Sequence, residues 1–173
     1  MPVNLELKAR LRSLDDARSL AAALGARFDC LLVQTDTYYR VNHGRLKLRT
    51  FSGAPAELIM YDRPEVKSDR WSHYEVVPAG DGVALGRVLA ESLGVRATVH
   101  KTRELHFYQG ARIHLDEVSG LGAFIEFEVP AEDRAAARDL LGRLRDWFGL
   151  EEADTLQASY VDLFEAMGRG STS

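Results

Sequence analysis

Cysteine is nearly absent from this chain of 173 residues, with Cys30 the one example. No intramolecular disulfide can form and no cysteine cluster can hold zinc, a usage that fits a reducing cytoplasm and disfavours secretion. Nowhere do about eighteen apolar residues follow one another, so no membrane-spanning helix is expected. The opening Met1-Pro2-Val3-Asn4-Leu5-Glu6-Leu7-Lys8 meets charge at once and has no apolar signal core. A positive surplus is also missing. The formal net charge is −4, which argues against duplex DNA or RNA as partner, because such binding neutralises phosphates with excess Lys and Arg. No Gly-x-x-x-x-Gly-Lys-Ser/Thr loop and no His-x-x-x-His spacing occurs, which removes one type of nucleotide site and the usual zinc patterns. Cys30 reads as a buried structural thiol, and His43 and His73 as surface residues near turns.

What the chain does have is apolar content, 46%, enough for one core at single-domain size. One domain over residues 1–167 is expected, with 168–173 a flexible tail lacking apolar residues. From Val3 to Arg12 the residues Asn4, Glu6, Lys8, Arg10 and Arg12 share one parity, while Leu5, Leu7, Ala9 and Leu11 share the other. That period of two is a strand. Ser13 then offers an N-cap with Asp16 three residues on, and Ala17, Leu20, Ala21 and Leu24 follow at helical spacing up to Gly25. Further strands are expected near Thr35–Val41, Arg45–Phe51, Glu57–Arg63, Trp71–Val77, Val99–Tyr108, Ala111–Val118 and Ala123–Val129. Helices are expected over Asp81–Leu93, from near Ala131 to Phe148, and around Leu156–Met167. Tight turns between successive strands make most pairs antiparallel. The class is therefore α+β, with about eight strands able to close an antiparallel barrel and helices packed outside.

The polar faces of these strands are ionic. Lys47 and Arg49 sit two apart with Arg45 on the same parity, and Lys101 and Arg103 repeat the arrangement. Arg112, His114 and Asp116 share a face, as do Glu126 and Glu128, while Ile125, Phe127 and Val129 point the other way. For any single strand a solvated outer face is the better reading. Across so many strands the apolar parity is what helices need to cover, which turns the ionic parity inward. Burying unpaired like charges costs several kcal/mol each, so clustered Lys and Arg imply a polyanion and clustered acids imply a bridging cation. A small triphosphate with Mg²⁺ or Mn²⁺ satisfies both.

The chain at this point resembles the CYTH family, the triphosphate tunnel metalloenzymes, which include class IV adenylate cyclases, thiamine triphosphatases and inorganic triphosphatases. The family's opening Glu-x-Glu-x-Lys corresponds to Asn4-Leu5-Glu6-Leu7-Lys8, with Asn in place of the first Glu. Asp36-Thr37-Tyr38-Tyr39, Arg45-Leu46-Lys47-Leu48-Arg49, Tyr74-Glu75-Val76, Lys101-Thr102-Arg103 and the run Leu115 to Glu128 follow in family order. The last run is nearer the class IV cyclase branch. The resemblance implies metal binding by Glu6, Glu126 and Glu128, with Asp116 a further ligand or supporting acid. It implies phosphate binding by Lys8, Lys47, Arg49, Arg63, Lys101, Arg103 and Arg112, Arg63 standing where the family usually has Lys before Gly-Pro. Glu75 would hold a basic neighbour in place or reach the metal. Asn4, a neutral amide, is a poorer Mg²⁺ ligand than the carboxylate it replaces.

Three readings remain open from the sequence. In hydrolysis, ranked slightly first, Glu6 or Glu128 orients the attacking water, with Lys8 also in the catalytic set. In cyclisation, a ribose 3′-hydroxyl attacks the α-phosphorus and pyrophosphate leaves. The third reading is a non-catalytic nucleotide or polyphosphate binder. Homodimerisation is compatible with the cyclase-branch resemblance, and a cytoplasmic location with the composition.

Overall fold

The computed structural model describes residues 3–62 and 71–170. In chain order the elements are β1 (Val3–Arg10), α1 (Leu14–Leu24), β2 (Arg27–Tyr39), β3 (Arg45–Phe51), β4 (Ala54–Asp62), β5 (Trp71–Ala79), α2 (Gly82–Leu93), β6 (Val95–Tyr108), β7 (Ala111–Val118), β8 (Gly122–Pro130), α3 (Arg134–Trp147) and α4 (Tyr160–Gly170), with a 3-10 turn at Glu152–Asp154. The strands close a barrel in the order β1-β5-β4-β3-β2-β6-β7-β8. Every pairing is antiparallel. Closure leaves no edge strand to template aggregation.

Strand alternation decides which residues face outward, and the outward set is apolar. Leu5, Ala9, Ile113, Leu115, Ile125 and Phe127 form one layer with Ala17 and Ala21 of α1 and with Leu140, Leu144 and Phe148 of α3 and its end. Burying each such large side chain stabilises the fold by about 1.5–3 kcal/mol. Both helices begin as a capping serine or acid dictates: Asp16 N–H donates to Ser13 Oγ, and the Ala135 and Ala136 N–H groups donate to Asp133 Oδ1. On the far side α2 covers Leu48, Ala56 and Ala79 with Leu85, Leu89 and Leu93. Gly82 is required there, since a Cβ would come within 2.5 Å of the Ala56 Cβ.

Two elements differ from the sequence expectation for a physical reason. β2 begins at Arg27 and pairs with β6 through Tyr39. Its first half, Cys30-Leu31-Leu32-Val33, is apolar on both parities, with Leu31 and Val33 exposed, so alternation is hidden; Cys30 itself is half-buried rather than buried. The C-terminal helix starts at Tyr160, because the preceding segment is held extended on the barrel: Leu156 N–H donates to the Lys8 carbonyl and Thr155 bridges to Ala9. It runs through Gly170, into the stretch expected to be tail. Among the described residues no helix is long and apolar enough to cross a membrane.

That last helix closes one end of the barrel. Tyr160 and Val161 pack with the inward-facing Tyr38, Ile59, Val99, Val118 and Phe124, which come from β2, β4, β6, β7 and β8. The cavity residues Leu32, Phe51 and Leu105 lie toward the opposite, open mouth.

Candidate active site

The inward parity surrounds a cavity of about 360 Å³, within the size range of small-molecule sites. Its two sides differ in charge. On β2, β3 and β6 the carboxylate of Asp36 is buried among cations: Lys47 Nζ donates to Oδ2 at 2.9 Å, Arg49 donates from Nε to Oδ1 at 2.7 Å and from Nη2 to Oδ2 at 2.9 Å. Lys101 Nζ stands 3.7 Å from the same Oδ2. One acid thus serves three cations. Burial and the neighbouring Arg49 push the Lys47 ammonium down to about 8, and burial with Arg103 takes Lys101 well below the usual lysine range. Burial acts to raise Asp36, yet Lys47, Arg49 and Lys101 hold it well below the carboxylate range.

The other side, on β7, β8 and β1, is acidic. The β7–β8 register sets His114 opposite Glu126 and Arg112 opposite Glu128, and the β1–β8 register sets Glu6 opposite Glu128 and Lys8 opposite Glu126. Glu126 Oε1 lies 3.3 Å from Lys8 Nζ, and Glu128 Oε2 accepts from Arg112 Nε at 2.8 Å. Ser72 Oγ donates to Glu6 Oε1. Burial opposes ionisation of Glu126, but Lys8, His114 and Arg103 hold its carboxyl well below the usual range. Burial and Arg103 lower His114, favouring the neutral ring. One ligand atom from each of His114, Glu126 and Glu128 falls within 4.8 Å of the others, a donor set that fits a divalent cation.

Arg103 joins the two sides. Its Nε and Nη2 donate to Asp116 Oδ1 and Oδ2, each at 2.6 Å, and Nη2 also donates to Glu126 Oε2 at 2.8 Å. Tyr160, at the closed end, donates from its hydroxyl to Asp116 Oδ2 at 2.7 Å, and Lys8 Nζ sits 3.7 Å over its ring.

Of the residues singled out in the sequence, Glu6, Lys8, Lys47, Arg49, Lys101, Arg103, Arg112, Glu126 and Glu128 all line this cavity. Asp116 does not reach it as a ligand would: fully buried, its oxygens are taken by Arg103 and Tyr160, which makes it a holder of Arg103. The structure corrects the expectation that Glu75 could reach the metal. Ser72, Tyr74 and Val76 take the inward parity of β5, and Glu75 is exposed on the outer one, where it can reach neither the metal set nor the cavity's cations. Arg63 lies outside the described residues. The sequence reading gave no role to Asp36, Ser72 or Tyr160, and placed His114 on the ionic face with Arg112 and Asp116 without making it a ligand. Parity was the available signal for His114; Tyr160 comes from a helix and had none.

A closed antiparallel barrel around an ionic cavity, basic on one side and acidic on the other, defines the class of fold to which the chain belongs. The chain belongs to the CYTH domain family, whose family model matches residues 3–160. Among solved structures, the PH1012 protein from Pyrococcus horikoshii superposes with a TM-score of 0.85 at 18% identity, over 92% of this chain and 98% of that one. A proposed adenylate cyclase from Vibrio parahaemolyticus gives 0.78 at 23% identity, over 94% and 97%. HpAC1 from Hippeastrum, described as having a dominant triphosphatase activity, gives 0.69 at 16% identity, over 96% of each chain. No curated protein matches the sequence.

Proposed function

We propose that the chain is a metal-dependent enzyme that takes a small triphosphate into the barrel and hydrolyses it. The observation that carries this reading is the segregation of charge inside one cavity: Lys47, Arg49 and Lys101 share the single carboxylate of Asp36 on one side, while Glu126, Glu128 and His114 converge on the other. A triphosphate oxygen entering the basic side replaces a shared carboxylate with charge of its own, and the guanidinium of Arg49 offers it a planar pair of donors. Arg103, fixed by Asp116, presents its guanidinium at the boundary of the two sides, where charge on a transferring phosphoryl group would build up. Glu6, which accepts a hydrogen bond from Ser72, would take a proton from an attacking water. A cation held by Glu126 and Glu128 would neutralise phosphate charge and fix the phosphoryl group for attack. The residues thus supply binding, orientation and a proton acceptor.

One feature of the open mouth bears on the substrate. Leu32, Phe51, Val76 and Leu105 line the cavity there and give an apolar seat to an organic group, which favours a nucleoside or thiamine triphosphate over the inorganic ion. It also keeps cyclisation of ATP as a second reading. HpAC1, with its dominant triphosphatase activity on the same fold, supports hydrolysis as the first. A small-molecule substrate, no duplex nucleic acid, a cytoplasmic location and a single functional domain belong to this reading.

The test is to incubate the pure protein with ATP, thiamine triphosphate and inorganic triphosphate, each with Mg²⁺ or Mn²⁺, and to assay phosphate and pyrophosphate separately. Phosphate release supports hydrolysis. Pyrophosphate with a cyclic nucleotide identifies a cyclase instead, and tight binding without turnover identifies a binding module.

A further inference from the structure

We infer that His114 is a metal ligand which, with Glu126 and Glu128, forms a mixed nitrogen and oxygen site selecting a first-row transition cation over Mg²⁺. The inference rests on the metal-dependent reading of the barrel and goes beyond it, since that reading needs only carboxylates.

The β7–β8 ladder fixes the arrangement. His114 is the direct cross-strand partner of Glu126, and Glu128 is two residues along on the same parity. His114 Nδ1 lies 3.8 Å from Glu126 Oε2 and 3.8 Å from Glu128 Oε1. Those separations are too long for hydrogen bonds. Ligand atoms each about 2.1 Å from one ion stand about 3 Å apart when adjacent and about 4 Å apart when opposite, so at 3.8 Å from both carboxylates the nitrogen is within a small inward shift of sharing one ion with them. The same nitrogen is buried and has no hydrogen-bond partner, in a side chain 6% exposed. A buried polar atom left unpaired costs about 1–3 kcal/mol, and a coordinated cation removes that cost.

The chemistry of the donors then sets the preference. Mg²⁺ holds to hard oxygen ligands and near-ideal octahedral geometry, whereas divalent ions of the first transition row accept imidazole nitrogen, least strongly at Mn²⁺ and more strongly toward Cu²⁺. At Asn4, which lines the same cavity, an amide supplies no anionic oxygen. Oxygen donors are fewer and a nitrogen donor is present. Both changes move the site away from Mg²⁺.

The experiment uses the metal-free full chain and metal alone, without triphosphate. Pulsed electron paramagnetic resonance on the Mn²⁺-loaded protein reads nitrogen coupling from a coordinated imidazole, and competition titration compares Mn²⁺ with Mg²⁺. The expected result is nitrogen coupling in the wild type and tighter binding of Mn²⁺ than of Mg²⁺. In His114→Gln the coupling should vanish and Mn²⁺ affinity should fall about tenfold or more, with Mg²⁺ affinity changed less than about threefold. Failure of the wild type to bind Mn²⁺, a Mn²⁺ signal without nitrogen coupling, or equal losses for both ions in the variant would overturn the inference. If His114→Gln does not fold, the wild-type spectrum decides alone. Turnover of a triphosphate by a protein whose Mn²⁺ shows no nitrogen leaves the enzyme reading standing and the inference lost. Nitrogen-coupled Mn²⁺ in a protein that neither binds nor turns over any triphosphate does the reverse.

Discussion

Arg103 and Asp116 form a two-pronged ion pair, Nε to Oδ1 and Nη2 to Oδ2, each 2.6 Å long, with Asp116 fully buried. The pair is the direct cross-strand partner position of the β6–β7 ladder, so the backbone register and not chance rotamers brings the groups together. Removing one partner of such a pair strands the other charge away from water. Asp116→Asn should therefore lower unfolding free energy by about 3–5 kcal/mol, read from denaturant titration. A residue serving only as metal ligand would behave otherwise, since losing an acid from a metal-free acidic cluster relieves repulsion and leaves stability level or raised.

The two β8 carboxylates should separate in the same way. Replacing either Glu126 or Glu128 by Gln is expected to abolish metal-dependent turnover at metal concentrations that saturate the wild type. Their stability effects differ. Glu126 is buried against Lys8 and Arg103, so Glu126→Gln should also cost about 3 kcal/mol or more. Glu128 pairs with Arg112, whose side chain is 32% exposed, and Glu128→Gln should stay within about 1 kcal/mol of wild type. Full turnover in both variants would remove these residues from the metal set.

Much of this was legible in the sequence, and the limits have physical causes. Parity marked the inward Lys47, Arg49, Lys101, Arg103, Glu126 and Glu128, because a one-residue slip would have buried charge under the helices packed outside, α2 over β3 and α1 and α3 over β7 and β8. The same rule, followed strictly, excludes Glu75, which sits between Ser72-side and Val76-side inward residues; a motif carried by resemblance assigned it. Asp36 could not be distinguished as an anchor, since a lone acid on a strand says nothing of which cations gather around it. Tyr160 enters the site from a helix on the barrel's end, a relationship set by long-range packing. β2 hid its first half because Leu31 and Val33 are exposed where alternation predicts polar residues.

Lys47 makes binding depend on pH. Its ammonium is pushed down to about 8 by burial and Arg49, against an ordinary value of about 10.4. A lowered lysine pKa disfavours the charged folded form, so this group's destabilising contribution is fully present below pH 8 and is relieved as pH rises from there toward the unfolded value. Triphosphate affinity should run the opposite way, falling as pH passes above 8 and the ammonium is lost. A bound polyanion restores the proton. Calorimetry at pH 8 in buffers of different ionisation enthalpy should show uptake at Lys47 of up to about half a proton per triphosphate bound, and Lys47→Met should reduce the total by that amount. Uptake unchanged in that variant would assign the proton elsewhere.

Asn4 supplies the last prediction. It is buried, lines the cavity and shares its parity with Glu6 two residues on, so Asn4→Glu places a second carboxylate on the β1 wall beside Glu6 and the β8 acids. Without metal the added charge has no cation of its own, and repulsion should lower apo stability by about 1–3 kcal/mol, with the new carboxyl titrating above the usual range. With metal the sign reverses: divalent cation binding should tighten, and the melting temperature should rise more on adding Mn²⁺ or Mg²⁺ than it does for wild type. If hydrolysis in this barrel draws on a second cation, phosphate release from the preferred triphosphate should also increase. Thermal melts with and without metal, set beside separate phosphate and pyrophosphate assays, check each part. An Asn4→Glu protein that is destabilised without metal and gains nothing when metal is added would show that position 4 lies beyond reach of the ion, and the carboxylate set would then be confined to Glu6 and β8.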